Sequence, residues 1–429
     1  MFYRPPMLRL TSVVAAIALF VVGCRGSARP AAPACPVCPA EAPVTLGVVP
    51  GLGDDIAVVA PPSASAAMPG GTIELTVLPA PAYVERSDGA QLLNCDLRLD
   101  NGTGLDWELA AIEVSVFDRT GALSWRKRID SNGVSPGIKT IPDRVLVAGT
   151  QALVLNPVHT FPADLELARL RFELTYEQPV VRGLGGGSDQ PRRAPLTISA
   201  EVAPSAYAGH ARLRLPVAGR LLVWDGHDFL SHHRRWDYVF APIRAMGFDS
   251  NAARYSYDLV PVDAQGAMHA GDEADNASWS GFGQPVLAPA AGEVVRVVAG
   301  DPDNRAFDFS RLAQDLLVPY GNHVVIDHGR GEHSMLAHLK QGSVTVQVGD
   351  TVTAGQPIAQ IGASGSAMFP HLHYQLQDAA DGHAEGLPSY FHDFARLRGA
   401  RRTPVKRGQI DSADVVDSAA PKPPASRRR

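Results

Sequence analysis

Hydrophobic and polar residues alternate with a period of two along much of the chain. In the first half, apolar residues two positions apart recur in three stretches, at 93–99, 112–116 and 170–176, and Asn101-Gly102 marks a turn after the first of them. Side chains two positions apart share one face of a β-strand, and helical periods are scarce in this region. We therefore predict that residues 71–205 form an antiparallel β-sandwich of the immunoglobulin-like type.

A second series of short strands is predicted for residues 206–398. Apolar runs at 285–289, 292–298 and 323–327 are separated by Gly, Asp, Asn and Gln residues typical of turns. The same rhythm is found in biotinyl and lipoyl carrier domains, which display a lysine on a hairpin tip. No lysine lies between Gly342 and His373, so we set the carrier function aside. The predicted fold class is mostly β, with two domains.

The N-terminus carries the pattern of an export signal. Arg4 and Arg9 precede an apolar run at 13–22, which is too short to span a bilayer and ends in Gly23-Cys24. A cysteine after a small residue resembles the lipobox of bacterial lipoproteins, so residues 1–23 are expected to be removed and Cys24 lipidated. In Gram-negative bacteria Arg25 after the cysteine implies the outer membrane, facing the periplasm. A simple secretory signal is the alternative.

Two further segments lack a strand or helix period. Residues 24–70 are rich in Ala, Pro, Gly and Ser and predict a disordered tether, while residues 399–429 end in three arginines and predict a disordered basic tail. The Cys-x-x-Cys pair at Cys35 and Cys38 predicts a local disulfide, because no second pair follows. The net charge is −5. A basic stripe interleaved with aromatic residues, typical of nucleic-acid binding, is absent outside the extreme C-terminus of the sequence, so no nucleic-acid partner is predicted.

The candidate chemistry centres on a His-x-His pair. His371 and His373 alternate with Leu372 and Tyr374, which predicts a strand with both imidazoles on one face. Neutral imidazole is the commonest zinc ligand and also carries protons near neutral pH, so such a pair can bind a metal and serve its bound water. An isolated pair is more often part of a solvated strand face, because a chain with fourteen histidines can contain such a pair by chance.

Five sequence blocks around this pair resemble, in order and spacing, the lysostaphin/LytM-type zinc endopeptidases. The blocks lie at 283–295, 321–329, 336–339, 348–358 and 365–374, and the resemblance extends over about residues 220–392. It implies a zinc ion held by a His, an Asp and the second His of His-x-His, with two further histidines beside the reacting water. It also implies peptidoglycan cross-link peptides as substrates.

Transferred to this sequence, the resemblance implies that His373 and Asp258 bind zinc and that His338 and His371 form the catalytic pair. Arg254 stands where the family usually has its remaining zinc ligand, and a guanidinium cannot lose a proton to bind metal. An upstream His-His pair can supply this ligand if the loop folds back, because metal sites are defined in space. We expect His233 to be the ligand, with His232 as the less favoured choice.

Four other histidines in the second domain do not align with the family's ligands and are expected to take no part in binding metal. They are His227, His323, His328 and His333. For His323 or His328, a hydrogen bond to one of the metal ligands is the alternative.

Two function classes remain from sequence. The favoured one is a zinc endopeptidase that acts on cell-wall peptides from a membrane-tethered position. The alternative is a degenerate domain that binds peptidoglycan or regulates other cell-wall hydrolases without cutting. Asp258, His338, His371 and His373 favour the enzyme, whereas Arg254 favours the alternative.

Overall fold

The structure is a computed structural model, and it describes residues 71–87, 89–131, 143–179 and 193–418. The expected signal peptide, Cys24, the tether and the Cys35–Cys38 pair lie outside the described residues. Within the described ranges, no helix combines the length and apolar character needed to cross a bilayer. All described residues belong to one unit, Ser63–Arg429, so the domain boundary expected at residue 205 stays a prediction.

The N-terminal half of the described chain is built from short strands. They pair in the orders β1-β4-β8, β11-β10-β5-β6 with β7 beside β5, and β12-β2-β3-β9. The pairing is antiparallel except between β12 and β2. The strands are β1 (Ile73–Leu78), β2 (Tyr83–Ser87), β3 (Ala90–Leu93), β4 (Asp96–Asn101), β5 (Trp107–Phe117), β6 (Leu123–Asp130), β7 (Val145–Leu146), β8 (Gln151–Leu155), β9 (Thr160–Pro162), β10 (Arg169–Glu177), β11 (Leu196–Val202) and β12 (Ser205–Ala206).

The predicted alternation explains the core of this half. Leu93, Cys95, Leu97 and Leu99 are all fully buried in one apolar cluster. The apolar residues predicted at 112–116 and 170–176 join the same cluster. The mostly β fold is thus confirmed, and the immunoglobulin-like sandwich stays a prediction.

The C-terminal half is dominated by one large sheet of order β19-β16-β17-β18-β21-β14-β13-β25-β23-β24, with β22 beside β21 and a separate β15-β20 pair. Its strands are β13 (Gly219–Asp225), β14 (Tyr257–Pro261), β15 (Pro285–Leu287), β16 (Gly292–Val298), β17 (His323–Asp327), β18 (His333–Ala337), β19 (Thr351–Val352), β20 (Pro357–Gln360), β21 (Leu372–Gln377), β22 (Gly386–Leu387), β23 (Phe391–Arg398), β24 (Arg401–Gly408) and β25 (Val415–Ser418). A short helix, α1 (Ala241–Ala245), and 3₁₀ turns at Asn276–Ser278, Phe309–Arg311 and Val318–Tyr320 connect them.

The register of the three central strands brings distant residues together. Asp258 in β14 lies opposite His373 in β21, and His373 lies opposite Ala337 in β18. Leu259 and Leu372, the next positions on the strands, belong to the hydrophobic core. Because successive side chains alternate between faces, Asp258 and His373 share the face opposite that core.

The predicted disordered tail is wrong for residues 401–418. This segment forms β24 and β25, which pair with β23 and β13. Ile410 and Val416 are fully buried in the core of the C-terminal half. Apolar residues are sparse in this segment, so its own sequence shows no clear period. Its strands are instead stabilised by hydrogen bonds to neighbours already in the sheet.

Replacing Ile410 by alanine tests this correction. We expect Ile410→Ala to lower the free energy of unfolding by about 2–5 kcal/mol, because it leaves a cavity in a packed core. Chemical denaturation of the full chain measures this change. Lys406→Ala, at an exposed position of β24, is the matched control and is expected to change it by less than about 0.5 kcal/mol. Equal, small effects of both variants would contradict a folded segment.

Candidate metal centre

One carboxylate oxygen of Asp258, Oδ1, is the common neighbour of three imidazoles. Its Oδ1 lies 3.1 Å from His373 Nδ1, 3.3 Å from His371 Nε2 and 3.8 Å from His233 Nε2. The carboxylate is buried. Burial acts to raise the pKa of Asp258, but His233 and His371 outweigh it and hold the pKa well below its usual value. Asp258 is therefore a buried carboxylate in its charged form.

His233 reaches this centre from the loop that follows β13. Its Nδ1 lies 2.6 Å from Asp225 Oδ2, and the same carboxylate accepts the backbone N–H groups of His232 and His233 at 3.0 and 3.2 Å. Since a carboxylate accepts hydrogen bonds, it assigns the proton of His233 to Nδ1 and leaves Nε2 with its lone pair. The loop therefore presents Nε2 of His233 toward Asp258.

His232 lies beside His233 but in a different setting. Its Nδ1 is 3.2 Å from Asp225, its Nε2 is 3.9 Å from Asp258, and 48% of its side chain is exposed.

Two groups of potential metal ligands lie among the described residues. One contains Asp225, His232 and His233, and the other contains His233, Asp258 and His373, with ligand atoms within 4.8 Å of one another in each. The structure thus brings together the three residues predicted to bind zinc.

A row of buried amides supports His373. Nε2 of His373 lies 2.9 Å from Gln375 Oε1, Gln375 in turn donates to Gln377, and Gln377 donates to the carbonyl of Ala379 at 2.6 Å. Gln375 and Gln377 are fully buried. Each amide donates onward along the row, so the oxygen of Gln375 faces the imidazole. Both ring nitrogens of His373 therefore face acceptors, Nε2 the oxygen of Gln375 and Nδ1 the Asp258 carboxylate at 3.1 Å. The Gln375 contact keeps a proton on Nε2 when a metal ion takes the place of the proton on Nδ1.

The predicted catalytic pair, His338 and His371, is held by main-chain carbonyls. Nδ1 of His338 is 2.9 Å from the carbonyl of Ser364, and Nδ1 of His371 is 2.7 Å from that of Phe369. The two ring centres are 4.9 Å apart. Since a carbonyl only accepts, both rings carry their proton on Nδ1 when neutral. Both Nε2 atoms are then available for proton transfer.

Electrostatics separate these two histidines. Burial, together with His371 and His373, holds the pKa of His338 well below its usual value. Burial also acts to lower the pKa of His371, but the Asp258 carboxylate outweighs it and the pKa lies above its usual value. The pair therefore combines a readily neutral imidazole with one that retains a proton more strongly.

The backbone at His338 has an unusual conformation. His338 directly follows β18 and has φ of +58°, in the left-handed region that non-glycine residues seldom adopt. Its N–H donates to the carbonyl of Tyr320 at 3.0 Å, and its carbonyl accepts from Gly362 at the same distance. These two bonds hold the turn that places the ring beside His371.

Arg254 lies away from the imidazoles. Its Nη1 donates to Asp96 at 2.6 Å and its Nε to Glu385 at 2.5 Å, and the side chain is fully buried. Arg254 occupies the position where the family usually has a zinc ligand, and it bonds to two carboxylates there instead of binding a metal. Asp96 and Asp225 were not singled out from sequence, because the partners of Asp96 are distant in the chain and those of Asp225 lie on a loop without a regular pattern. Gln375 shares a strand with His373, but alternation alone does not show that its amide bonds the ring.

The other four histidines lie outside both ligand groups. His227 pairs with Glu85 at 2.7 Å, and His333 lies 3.8 Å from Asp327. His323 bonds to the carbonyl of Gly321 at 2.8 Å, and His328 bonds to that of Ala291 at 2.8 Å. Among the residues that the structure describes, none of the four joins a cluster able to hold a metal.

An aromatic wall borders the site on the side of His371. The ring of Phe369 stacks on Trp279 at 4.8 Å between centroids and meets the edge of Trp224 at 5.2 Å. Phe369 is 5.2 Å from the ring of His371, and Met368 beside it is exposed. Two tryptophans from other parts of the chain therefore join Phe369 in an apolar wall beside His371.

Comparison with known proteins finds relatives for part of the chain. Murein hydrolase activator EnvC of Escherichia coli is 34% identical over 99 residues, which are 23% of this chain and 20% of EnvC. An uncharacterized metalloprotease of Haemophilus influenzae is 34% identical over 96 residues, which are 22% of this chain and 16% of that protein. The match thus spans a fifth or less of either relative.

Solved structures show similar segments. The catalytic domain of lysostaphin from Staphylococcus simulans is 23% identical, with 29% of this chain and 95% of that chain covered and a TM-score of 0.19. A zinc-containing peptidase from Vibrio cholerae is 14% identical, with 73% and 83% covered and a TM-score of 0.23.

A family model also matches the chain, over residues 277–385, and its description is peptidase family M23. The matched segment includes His338, His371 and His373, while Asp258 and His233 lie upstream of it. Residues 277–385 of this chain thus match peptidase family M23.

Proposed function

We propose that this protein is a zinc endopeptidase that hydrolyses peptide bonds in peptidoglycan cross-links. The observation that carries the proposal is the convergence of His233, Asp258 and His373 beside His338 and His371. The M23 match over residues 277–385 supports a peptidase. We further propose that lipidated Cys24 tethers the enzyme to the outer membrane, facing the periplasm.

The donor set fits zinc. Two imidazole nitrogens and one carboxylate oxygen form a three-residue set of the kind that catalytic zinc sites use, with a position left for water or substrate. Asp225 accepts from Nδ1 of His233 and Gln375 accepts from Nε2 of His373, so the other nitrogen of each ring, which faces Asp258, is the one that a metal ion would bind in place of a proton. Such outer hydrogen bonds fix the tautomer that binding requires. His233, Asp258 and His373 would therefore hold the ion.

When bound, zinc supplies Lewis acidity toward water and toward the scissile carbonyl. The protein's contribution is two positioned proton carriers. One of His338 and His371 accepts the proton of the attacking water at its Nε2, and the other donates from Nε2 to the oxyanion that forms. The carbonyls of Ser364 and Phe369 keep both rings oriented for these transfers.

The aromatic wall favours an uncharged part of the substrate next to His371. Phe369 and Trp279 form a buried stacked pair, and Trp224 and Met368 beside it supply the exposed apolar surface. Small aliphatic side chains of a cross-link peptide lose unfavourable water contacts on such a surface. The wall thus supports a peptide whose residues near the scissile bond are small and apolar.

The likeness to EnvC, a murein hydrolase activator by name, supports the alternative of a regulatory domain. Arg254 in the usual ligand position originally favoured it too. His233 lies 3.8 Å from Asp258 and replaces the missing imidazole in the ligand group. This geometry supports the enzyme over the activator.

Zinc content distinguishes the two adjacent histidines. We expect the purified full chain to hold zinc near one equivalent and His233→Ala to lose more than about 100-fold in affinity, since a ligand contributes more than its outer hydrogen bonds do. The control His232→Ala removes a half-exposed ring and is expected to retain zinc. Elemental analysis after dialysis measures both. If His233→Ala retained its zinc, a residue other than His233 would be the third ligand.

Gln375 provides a second test of the metal centre. Gln375→Leu removes the acceptor for Nε2–H of His373 and is expected to weaken zinc binding about 10- to 100-fold. Gln375→Glu keeps an acceptor oxygen at that position and is expected to bind more tightly than the leucine variant. Competition with a chromogenic chelator gives the affinities. Identical affinities of Gln375→Leu and the unmodified protein would exclude this role.

Release of soluble fragments from peptidoglycan tests the catalytic pair. His338→Ala and His371→Ala are each expected to lose about 100- to 10,000-fold in rate, as is typical for a general acid or base, and to keep their zinc. His328→Ala, outside the site, serves as the control with an unchanged rate. If the unmodified protein holds zinc and cuts nothing but accelerates a second hydrolase, the activator function replaces the enzyme.

A further inference from the structure

Asp96, at the start of β4, is a buried carboxylate that binds two arginines from the C-terminal half. Its Oδ1 accepts from Arg234 Nη1 at 2.8 Å and its Oδ2 from Arg254 Nη1 at 2.6 Å. Tyr238 donates a third bond to Oδ2 at 3.3 Å, and Arg234 also donates to the carbonyl of Cys95 at 3.2 Å. All three charged side chains are at most 1% exposed.

The two arginines belong to the segments that carry metal ligands. Arg234 directly follows His233, and Arg254 lies four residues before Asp258. Asn251 joins the segments, because its side chain donates to the carbonyls of His233 and Arg234 at 3.2 and 3.4 Å. The Asp96 carboxylate therefore links the loop of His233 to the turn that precedes β14.

Arg234 is the buried charged anchor of the histidine loop. Leu230 and Trp236, on either side, have exposed surfaces of 62% and 37%, whereas Arg234 is buried. His233 needs a defined direction, since its Nε2 must lie near Asp258 and His373 at the same time. A guanidinium bound by a carboxylate and a carbonyl has a fixed orientation, because its donors lie in one plane.

Stability alone does not explain this cluster. Removing one carboxylate and two guanidinium groups from water is costly, and well-packed apolar residues often hold such an interface as well or better. Charged groups add directional hydrogen bonds, which fix the orientation of the side chains they bind. A cluster of this kind at the base of the histidine loop is therefore suited to positioning.

We propose that Asp96 is a positioning residue of the metal centre, which holds Arg234 and Arg254 so that His233 lies next to Asp258 and His373. The N-terminal half of the described chain thereby contributes to the metal site without supplying a ligand. This inference rests on the zinc site of the proposed function.

The test is metal binding by the full-length chain. Asp96→Asn leaves the shape nearly unchanged and removes the charge that binds both arginines. We expect at least a tenfold weaker affinity for zinc, measured by competition with a chromogenic chelator. We also expect altered visible absorption bands of the protein loaded with Co²⁺, which report ligand geometry directly. Unchanged affinity and bands in folded Asp96→Asn would overturn the proposal.

Glu85→Gln is the matched control. Glu85 is also a buried carboxylate of the N-terminal half, and it pairs with His227 of the C-terminal half at 2.7 Å without contacting Arg234 or Arg254. Thermal unfolding is expected to show a loss of stability in both variants, and only Asp96→Asn is expected to lose zinc affinity. Equal losses of affinity in both would reveal general destabilisation and overturn the proposal.

Arg234→Met keeps the test decisive if Asp96→Asn fails to fold. In this variant Asp96 keeps Arg254 and Tyr238 as partners, and the methionine fills part of the space. The same loss of at least tenfold in zinc affinity is expected, and a folded Arg234→Met with unchanged affinity would overturn the proposal. Absence of zinc from the unmodified protein would overturn the proposed function together with this inference. Zinc in the unmodified protein with unaffected variants would overturn this inference alone.

Discussion

The backbone register of β18, β21 and β14 is the constraint on which the candidate site depends. It places Asp258 opposite His373, and Ala337, the neighbour of His338, on the other side of His373. A slip of one residue would turn Leu259 toward the site and Asp258 into the core. The apolar residues on the opposite face resist such a slip, so the core that stabilises the sheet also specifies the chemistry.

Hydrogen bonds to the far side of each ring then orient the imidazoles. Asp225 supports His233 and Gln375 supports His373, whereas His338 and His371 bond to main-chain carbonyls. These partners sort the rings into two classes. The first two rings form a group of potential metal ligands with Asp258, and their outer hydrogen bonds favour the tautomer that binds a metal. The other two keep Nε2 available for protons, as general acids and bases need.

The site combines residues positioned by the sheet with one residue, His233, positioned by a loop. Asp258 and His373 lie in β14 and β21, and His371 directly precedes β21. The arrangement of these three residues therefore follows from strand pairing. His233 comes from a loop whose position follows from side-chain contacts instead. The arginine at the family's usual ligand position contacts Asp96 and Glu385, and a histidine from another segment takes the place beside Asp258. Loss of a ligand in one segment is thus compatible with a complete ligand group.

The sequence by itself predicted most of the strands and the shared face of His371 and His373, because alternation is a local property, whereas Asp258 and His338 followed from the resemblance to a known family. It missed the strands at 401–418, which depend on hydrogen bonds to β13 and β23. Only the tertiary structure decided that His233 lies beside Asp258 and that Arg254 bonds to Asp96, 158 residues away in the chain. Such contacts depend on where the folded backbone brings distant segments together, and no local pattern of residue types encodes that distance.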